Sequence, residues 1–480
     1  MRKTFIHFTE NNNLYLYVPQ YSFSMLIHPE LEKVHNESIE INPYYLKKYE
    51  YLKEYGFFDR PSTIDFSTTL EESFVKENIN QTRQIVFETT DHCNLSCSYC
   101  SLGELYNFGK KDRKNINTRY AINFLKYIFH IKSKNSKLII SFFGGEPLVN
   151  SDFIKKIVEM AKQLNIEKKL DLEFNMTTNA TLIHRHIQFL VENNFVLLIS
   201  LDGNENGHSY RTFAKNNKNS FQKTVENVDM ILNSYPEYFA KKVDFNAVLS
   251  NRNSIKDIYE FIYNRYNKIP RIAQINASDI SPSKKDLFEK MFRSKRKSEE
   301  EFQREESMLL PITHKQLMLY RELGDFLNNF SINFYISNLL YLFYDQINPF
   351  PTGTCFPFQR KIFLNTHHNL LPCEKVSYKY SMGKATSDVV FDLSEIVKRY
   401  NFYYNHFKKV CKNCYANRSC SICLLTLDNL EKLGTEEFAC SGFQDEAIFK
   451  NKLKRVFSFL EQHPSDFFQI IDNVMIERYS

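Results

Sequence analysis

One stretch constrains this chain more than any other: Glu88-Thr-Thr-Asp-His-Cys93-Asn-Leu-Ser-Cys97-Ser-Tyr-Cys100. It places three cysteines in the spacing C-x3-C-x2-C, directly after a strand-like run at Gln84–Thr89. Cys thiolates are the usual ligands of cubane iron–sulfur clusters, so three on one short loop can each bind one iron. Because the loop offers no fourth thiolate, one iron would stay open, as in catalytic metal sites. Half of a zinc site is the alternative, although zinc loops usually pair two C-x2-4-C motifs.

The spacing and its position after a strand resemble the radical S-adenosylmethionine (radical SAM) enzymes. In that family the amino and carboxylate groups of SAM chelate the open iron. Reductive cleavage of SAM then yields a 5′-deoxyadenosyl radical, which abstracts hydrogen from the substrate. The resemblance implies that Cys93, Cys97 and Cys100 bind the SAM-cleaving 4Fe–4S cluster, and that Tyr99, inside the loop, lies against the adenine.

Composition and charge narrow the other possibilities. The 480 residues suggest about two to four domains. A net charge of +6 is a mild excess for this length and does not demand a nucleic-acid partner. The ten cysteines are too sparse for a disulfide scaffold and fall into ligand-like groups, which favours metal binding in a reducing compartment. We find neither a signal peptide nor a membrane-spanning run, so we expect a cytoplasmic protein with no membrane partner.

Strand-like runs alternate with helical patterns between residues 84 and 276. Ser151, Ser220 and Ser254 are candidate N-caps of these helices. The alternation implies a parallel sheet with right-handed crossovers, and suits the partial (β/α)6 barrel of the radical SAM family. The predicted strands are Gln84–Thr89, Lys137–Phe143, Leu170–Thr178, Val196–Leu201, Lys242–Leu249 and Arg271–Asn276. The predicted helices are Thr118–His130, Asp152–Leu164, Leu182–Asn193, Phe221–Leu232 and Ile255–Tyr266.

The second predicted strand ends in Gly144-Gly145-Glu146-Pro147. Two glycines allow a backbone to approach a ligand closely, because no Cβ stands in the way. In the radical SAM family such a G-G-E-P turn presents backbone carbonyls to the amino group of SAM. Away from the cluster loop, Gly-Gly would indicate only a turn.

Further candidate SAM-binding residues follow the third and fourth strands. Asn179, Ser200 and Asp202 resemble family segments near the ribose and methionine parts of SAM, although Asx and Ser caps would explain them equally. Arg211 resembles a family arginine that pairs with the SAM carboxylate, as a guanidinium can do in a bidentate manner. The family segment reads H-D-x-x-R, whereas this chain reads Gly207-His-Ser-Tyr-Arg211.

The segments around the predicted barrel (residues 81–278) suggest separate domains. Residues 1–80, with strand-like runs at Phe5–Phe8 and Leu14–Val18, predict a small winged-helix-like α+β module. Related peptide maturases use such a module to capture the leader of a precursor peptide by strand addition; a cap over the barrel is the alternative. Residues 279–349 predict a charged insertion and a helical bridge, with a substrate lid as alternative to a solvated helix. Residues 446–480 predict an amphipathic helix.

Seven cysteines lie within residues 350–445, and two of them, Cys355 and Cys373, are assigned to a predicted hairpin with strands Lys361–Leu364 and Leu370–Glu374. They resemble the SPASM extension of radical SAM maturases, which holds two auxiliary 4Fe–4S clusters. Carried over, the pattern assigns Cys411, Cys414, Cys420 and Cys440 to an outer cluster. It assigns Cys355, Cys373 and Cys423 to an inner cluster. A zinc ribbon is the alternative for the C-x2-C pairs.

Two departures from the SPASM pattern leave the ligand assignment open. Full sets often have eight cysteines, and Cys420 and Cys423 are separated by two residues where three are commoner. We hypothesise that the inner cluster has an open iron, which a substrate thiolate, a neighbouring side chain or water could fill. Mössbauer or EPR spectra of two fully Cys-ligated auxiliary clusters would contradict this hypothesis.

Together, these motifs predict a radical SAM/SPASM enzyme that crosslinks or oxidises side chains of a ribosomally synthesised precursor peptide. Its expected partners are a leader-bearing peptide and an external electron donor such as flavodoxin or ferredoxin. One alternative is an anaerobic sulfatase-maturase-type enzyme that forms formylglycine. The other is a non-catalytic, metal-stabilised peptide-binding protein. The sequence singles out no general base.

Overall fold

The computed structural model describes residues 2–19, 23–38, 40–55, 57, 65–100, 102–106, 112–277, 279–305, 350–417, 420, 422–427, 429–462 and 464. The predicted helical bridge within 279–349, from residue 312 onward, and the end of the predicted C-terminal helix lie outside these residues. The chain forms two compact units. The first consists of the described residues of Met1–Thr69, Met308–Thr354 and Tyr400–Ser480; the second of those of Leu70–Ser307 and Cys355–Arg399. The predicted cysteine-rich range 350–445 therefore divides between the units.

The described residues contain fifteen strands and fourteen α-helices. The strands are β1 (Phe5–Phe8), β2 (Leu14–Val18), β3 (Phe23–Leu26), β4 (Gln84–Thr90), β5 (Leu95–Cys97), β6 (Lys137–Gly144), β7 (Asp171–Thr178), β8 (Val196–Ser200), β9 (Arg211–Phe213), β10 (Val243–Leu249), β11 (Arg271–Gln274), β12 (Lys361–Leu364), β13 (Leu370–Leu371), β14 (Gly383–Ala385) and β15 (Val389–Phe391). The helices are α1 (Pro29–His35), α2 (Pro43–Glu54), α3 (Glu72–Gln81), α4 (Thr118–Ile131), α5 (Ser151–Lys168), α6 (Ile187–Glu192), α7 (Glu205–His208), α8 (Phe221–Ser234), α9 (Pro236–Lys242), α10 (Ile255–Tyr266), α11 (Lys285–Met291), α12 (Lys295–Glu305), α13 (Leu393–Cys411) and α14 (Glu446–Gln462). Within the described part of the chain, none of these helices has both the length and the apolarity to cross a bilayer.

The first unit contains an antiparallel sheet of order β1-β2-β3, followed by α1 and α2. β1 and β2 have the predicted bounds. Every residue of β2 is buried, and Leu16 and Val18 pack with Leu31 and Val34 of α1 and with Tyr49 of α2. This small core explains why the module needs two helices to cover a three-stranded sheet. Its comparison with a winged helix and its role in leader binding stay predictions.

The second unit is built on an eight-stranded sheet of order β11-β10-β8-β7-β6-β4-β12-β13. The six strands from β4 to β11 in this sheet pair in parallel and lie within two residues of their predicted bounds, which confirms the predicted α/β architecture. The buried rings of Phe87, Phe142, Phe195 and Phe174 lie in successive contact, with stacked pairs at both ends and a tilted pair between Phe142 and Phe195. Parallel strands bring their carboxyl ends to one edge, where the candidate site residues lie.

A hairpin from the cysteine-rich region extends this sheet. β12 pairs in parallel with β4, with Ile362 opposite Ile85, and β13 is shorter than the predicted Leu370–Glu374. Glu88, fully buried on β4, accepts hydrogen bonds from the Thr366 backbone N–H at 2.9 Å and from the Tyr378 hydroxyl at 2.7 Å. The strand that precedes the cluster loop is therefore joined directly to the segment around Cys373.

Four of the five predicted helices begin within one residue of the expected position, but only one of the three predicted caps acts as one. α10 begins after Ser254, whose hydroxyl accepts from the Asp257 N–H at 3.0 Å. Ser220 precedes α8, but its hydroxyl donates to the Arg211 carbonyl instead of capping the helix. The predicted cap Ser151 is wrong by one residue, because Asn150 occupies the cap position and Ser151 is already helical. The predicted helix Leu182–Asn193 is shorter, a 3-10 turn at Ile183–Arg185 followed by α6.

Candidate metal centres

The three-cysteine loop (residues 91–100) follows the carboxyl end of β4. Its strand β5 pairs antiparallel with β9, which places Cys97 opposite Arg211. The Cys93 sulfur accepts from the Leu95 backbone N–H at 3.4 Å and from Asn179 Nδ2 at 3.8 Å. The Cys100 N–H donates to the Cys97 carbonyl at 3.1 Å, which closes the turn between them. Backbone pairing and one side-chain amide thus hold the loop in place.

Burial makes the Cys97 thiol hard to ionise in the absence of a metal. The pKa of Cys97 is raised to about 12, mainly by burial; the Arg211 guanidinium opposes the rise, and the nearby Cys100 and Cys93 add to it. Metal ligation requires the thiolate form, so a bound metal would have to displace the proton of the thiol.

The residue types on this loop suit an iron–sulfur cluster. Among the described residues, no three His, Cys, Asp or Glu side chains converge closely enough to bind one metal ion. A cubane cluster needs a wider arrangement, because each thiolate binds a different iron. Three soft thiolates on one loop therefore fit the donor set of such a cluster.

The Gly144-Gly145 turn packs directly on the three-cysteine loop. The Gly145 N–H donates to the Thr90 carbonyl at 2.8 Å, and the N–H of the next residue donates to the His92 carbonyl at 3.0 Å. Gly144 has φ +134°, and a Cβ there would lie 2.2 Å from the Thr90 oxygen; at Gly145 it would lie 2.1 Å from the His92 oxygen. The sequence predicted glycines for close backbone approach to a ligand. In the structure, the close neighbours of these glycines are Thr90 at the end of β4 and His92 of the loop.

Glu146 joins the ends of β6 and β7. It is buried, and its carboxylate accepts from Thr178 Oγ1 at 2.8 Å, from the Leu148 N–H at 3.1 Å and from the Asn179 N–H at 2.8 Å. Burial raises its pKa to about 7, although these hydrogen bonds oppose the rise. The side chain thus has a bracing role at the site, and the contact of this turn with SAM stays a prediction.

Asn179 connects Glu146 to the three-cysteine loop. Besides its contact with the Cys93 sulfur, its Nδ2 donates to Asn94 Oδ1 at 3.0 Å, and its Oδ1 accepts from the Thr181 N–H at 3.0 Å. Asn94 in turn donates to Thr181 Oγ1 at 2.8 Å. One predicted site residue therefore sits beside a predicted cluster ligand.

Tyr99, Asp202 and Arg211 form a buried cluster. Arg211 donates to both carboxylate oxygens of Asp202, at 2.9 and 3.1 Å, and the Tyr99 hydroxyl donates to the same carboxylate. The Val248 N–H adds a bond of 2.8 Å to Asp202 Oδ1. Although burial acts in the opposite direction, Arg211 lowers the pKa of Asp202. From sequence, these residues are predicted as separate SAM contacts, and their pairing is not predicted. The opposite charges of Asp202, after β8, and Arg211, at the start of β9, were the sequence signal that could have indicated this pairing.

Ser200 ends β8 and is 8% exposed, with Asn246 of β10 as its register partner. The sequence-predicted SAM residues thus gather at one edge of the sheet, and their contacts with SAM stay predictions.

The first unit holds a second group of cysteines around a cavity, here called the four-cysteine cavity. Cys411, Cys414, Cys420 and Cys440 line it, together with Asn417 and other residues. Burial raises the pKa of the Cys411 thiol to about 12, and the three other cysteines raise it further. Burial also raises the pKa of Cys414, a rise that a hydrogen bond from Gln444 and the charge of Arg2 oppose. These are the four cysteines that the sequence assigned to the outer cluster.

The other three cysteines of residues 350–445 divide between the two units. Cys373, in the second unit, has its sulfur 3.4 Å from Glu374 Oε2, and this carboxylate accepts from Lys361 Nζ at 3.2 Å. Cys355 is exposed in the same unit, and Cys423 belongs to the first unit. The inner-cluster assignment of Cys355, Cys373 and Cys423 therefore stays a prediction.

Part of the chain is similar to known proteins. A model of the radical SAM superfamily matches residues 87–262. The radical SAM cyclopropyl synthase TigE of Paramaledivibacter caminithermalis is 29% identical over 198 residues, which are 39% of this chain and 39% of TigE. The cysteine-type anaerobic sulfatase-maturating enzyme of Clostridium novyi is 31% identical over 185 residues, which are 37% of this chain and 46% of that enzyme. The matched stretches span less than half of both relatives.

A solved structure shows a similar fold. Native anSMEcpe with bound AdoMet and Kp18Cys peptide has a TM-score of 0.52 and 17% identity, and the match covers 81% of this chain and 99% of that one.

Proposed function

We propose, for a chain whose residues 87–262 match a model of the radical SAM superfamily, that this enzyme modifies side chains of a ribosomally synthesised precursor peptide. The observation that carries the proposal is the seating of the three-cysteine loop. The Gly144-Gly145 turn and Asn179 hold it at the carboxyl edge of the parallel sheet. When bound there, a 4Fe–4S cluster with SAM supplies a 5′-deoxyadenosyl radical.

The chain's own residues have defined tasks in this proposal. Cys93, Cys97 and Cys100 would bind three irons and leave the fourth open to SAM. The close packing at Gly145 fixes the loop against the end of β6, and Asn179 donates to one ligating sulfur. Gly144, Glu146, Ser200 and the cluster of Tyr99, Asp202 and Arg211 would line the SAM site.

Two observations support a peptide substrate. The names of relatives include a sulfatase-maturating enzyme, and the similar solved structure of anSMEcpe contains a peptide. The four-cysteine cavity offers an all-thiolate donor set that suits an auxiliary cluster. Such a cluster can take up an electron that a substrate radical loses after bond formation. We further propose that the N-terminal sheet binds the peptide's leader and that flavodoxin or ferredoxin supplies electrons.

A formylglycine-forming activity is the second candidate, because cysteine-type sulfatase maturases are among the matched relatives. A crosslink and a serine-derived formylglycine both remove two hydrogens from the peptide, so mass alone does not separate them. Only formylglycine carries an aldehyde, which a hydroxylamine reagent captures.

The test therefore uses two peptides with anaerobically reconstituted protein, SAM and reductant. One is the product of a short open reading frame from the same genome neighbourhood; the other is a sulfatase-type peptide. The C97A variant serves as the inactive control. A hydroxylamine-resistant crosslink in the first peptide is the expected result. An aldehyde in the second would establish the other activity, and SAM cleavage without change in either peptide would contradict both.

A further inference from the structure

Arg2 is a buried cation beside the four-cysteine cavity. It has no surface exposed to solvent, and its Nη1 donates to Asn417 Oδ1 at 3.4 Å. Asn417 lines the cavity and donates through Nδ2 to the Cys411 carbonyl at 3.3 Å. One amide side chain thus bridges the guanidinium and the backbone of a cavity cysteine.

Backbone contacts fix Arg2 in this place. The Lys3 N–H donates to the Tyr415 hydroxyl at 2.8 Å, and that hydroxyl donates to the Lys3 carbonyl at 3.1 Å. The Phe5 ring lies edge-on to the Tyr415 ring, with centroids 5.5 Å apart. Tyr415 directly follows Cys414 in the chain, so the segment that leads into β1 is attached to the cysteine segment itself.

We propose that Arg2 raises the reduction potential of an auxiliary iron–sulfur cluster bound by Cys411, Cys414, Cys420 and Cys440. The inference rests on the proposed function, because that function places a cluster in this cavity. One-electron reduction makes a thiolate-ligated cluster more negative. A cation buried nearby in a low-dielectric region stabilises the added charge, and local charge is among the factors that set cluster potentials.

The consequence is a cluster that accepts electrons more readily. In the proposed reaction, a substrate radical that has formed its new bond loses one electron to this cluster and one proton to solvent, which leaves a closed-shell product. The reduced cluster then passes its electron to an oxidised carrier protein of the flavodoxin or ferredoxin class. Arg2 would favour the first transfer, since it lowers the free energy of the reduced cluster.

The test is a potentiometric titration monitored by EPR. The full-length chain carries C93A, C97A and C100A, so that signals come from auxiliary clusters alone, and iron and sulfide are counted in each sample. R2Q removes the charge, and R2K keeps it. K3Q is the matched control, because Lys3 carries the same charge at an exposed position one residue away.

At a fixed potential we expect R2Q to lower the ratio of reduced to oxidised outer cluster roughly tenfold. R2K and K3Q should leave this ratio close to that of the parent. An unchanged potential in a cluster-loaded R2Q, or equal shifts in R2Q and R2K, would overturn the proposal, because packing rather than charge would then be responsible. If R2Q fails to assemble, N417D sets a carboxylate beside Arg2 and should shift the potential in the same direction; no shift there would overturn the proposal too. A parent without any auxiliary cluster would instead contradict the proposed function.

Discussion

The Arg211 guanidinium donates two hydrogen bonds to the Asp202 carboxylate, at 2.9 and 3.1 Å, and both side chains are buried. Arg211 begins β9, which pairs with β5 and places Arg211 opposite Cys97. Because a buried charge is strongly unfavourable without its partner, this ion pair fixes β9 relative to the end of β8. It thereby supports one side of the three-cysteine loop.

Removing one partner of this pair should destabilise the second unit. D202N and R211M should each cost about 3–5 kcal/mol in the free energy of unfolding, because each leaves a buried charge unpaired. The double variant should lose less than the sum of the two. Urea unfolding followed by circular dichroism measures all three. The exposed pair Arg265–Asp229 is the control, and D229N should cost less than about 1 kcal/mol. Additive losses at the buried pair would contradict the prediction.

A methyl group at Gly145 should displace the three-cysteine loop. The new Cβ would lie 2.1 Å from the His92 carbonyl oxygen, which is a backbone atom. Relief requires backbone movement, which typically costs about 1–3 kcal/mol. We expect G145A to retain less iron and sulfide after anaerobic reconstitution than the parent. V149A is the control, since Val149 is exposed just beyond the turn. Full cluster content in G145A would show that the loop does not depend on this contact.

The Asn179 amide should tune the cluster on the three-cysteine loop. Hydrogen bonds to ligating sulfurs stabilise the reduced cluster and raise its potential. N179A removes the donor to Cys93, and N179D replaces it with a negative charge. The cluster potential should therefore fall in the order parent, N179A, N179D, as EPR-monitored titration can measure. An unchanged or reversed order would mean that Asn179 acts only through its bonds to Asn94 and Thr181.

His7 should make the first unit sensitive to acid. It lies against the rings of Tyr15 and Phe457, and burial, followed by the charge of Lys450, lowers its pKa from 6.5 to about 3. A histidine with a lowered pKa is neutral in the folded state. Its contribution is therefore complete above pH 6.5 and is lost as the pH falls from 6.5 toward 3, by about 1.4 kcal/mol per pH unit.

The measurement compares thermal stability of the parent and H7F between pH 7.5 and pH 5. H7F should lose less stability on acidification, because phenylalanine binds no proton. H130F, at an exposed helix position, should keep the slope of the parent. Parallel curves for the parent and H7F would contradict the prediction. Glu461, which accepts from the Tyr15 hydroxyl at 2.9 Å, is unchanged in all three proteins.

Local sequence patterns predicted the parallel strands well. Apolar runs such as Lys137–Gly144 end in glycine or polar residues. The apolar run and the residue that ends it are close together in the sequence, so both can be recognised locally. The pattern could not predict that β12 pairs with β4, because Lys361 and Gln84 are far apart in sequence and either strand could pair with other partners. Long-range strand pairing depends on the whole fold rather than on local propensity.

The candidate site shows the same division. The three cysteines and the two glycines were recognisable, because their spacing has a chemical or steric cause. The bond between Asp202 and Arg211, and the burial of Arg2 near Asn417, were not, since they arise only when distant segments pack. The residue types of the site can thus be predicted from the sequence, whereas the hydrogen bonds and ion pairs between distant side chains cannot.

The most direct test of the account measures 5′-deoxyadenosine. Anaerobically reconstituted protein is incubated with SAM and dithionite, alongside the C93A, C97A and C100A single variants. We expect 5′-deoxyadenosine to form with the parent and not with any of the three variants. Parent protein that holds a 4Fe–4S cluster yet forms no 5′-deoxyadenosine, or equal formation by the variants, would contradict a SAM-cleaving cluster on this loop.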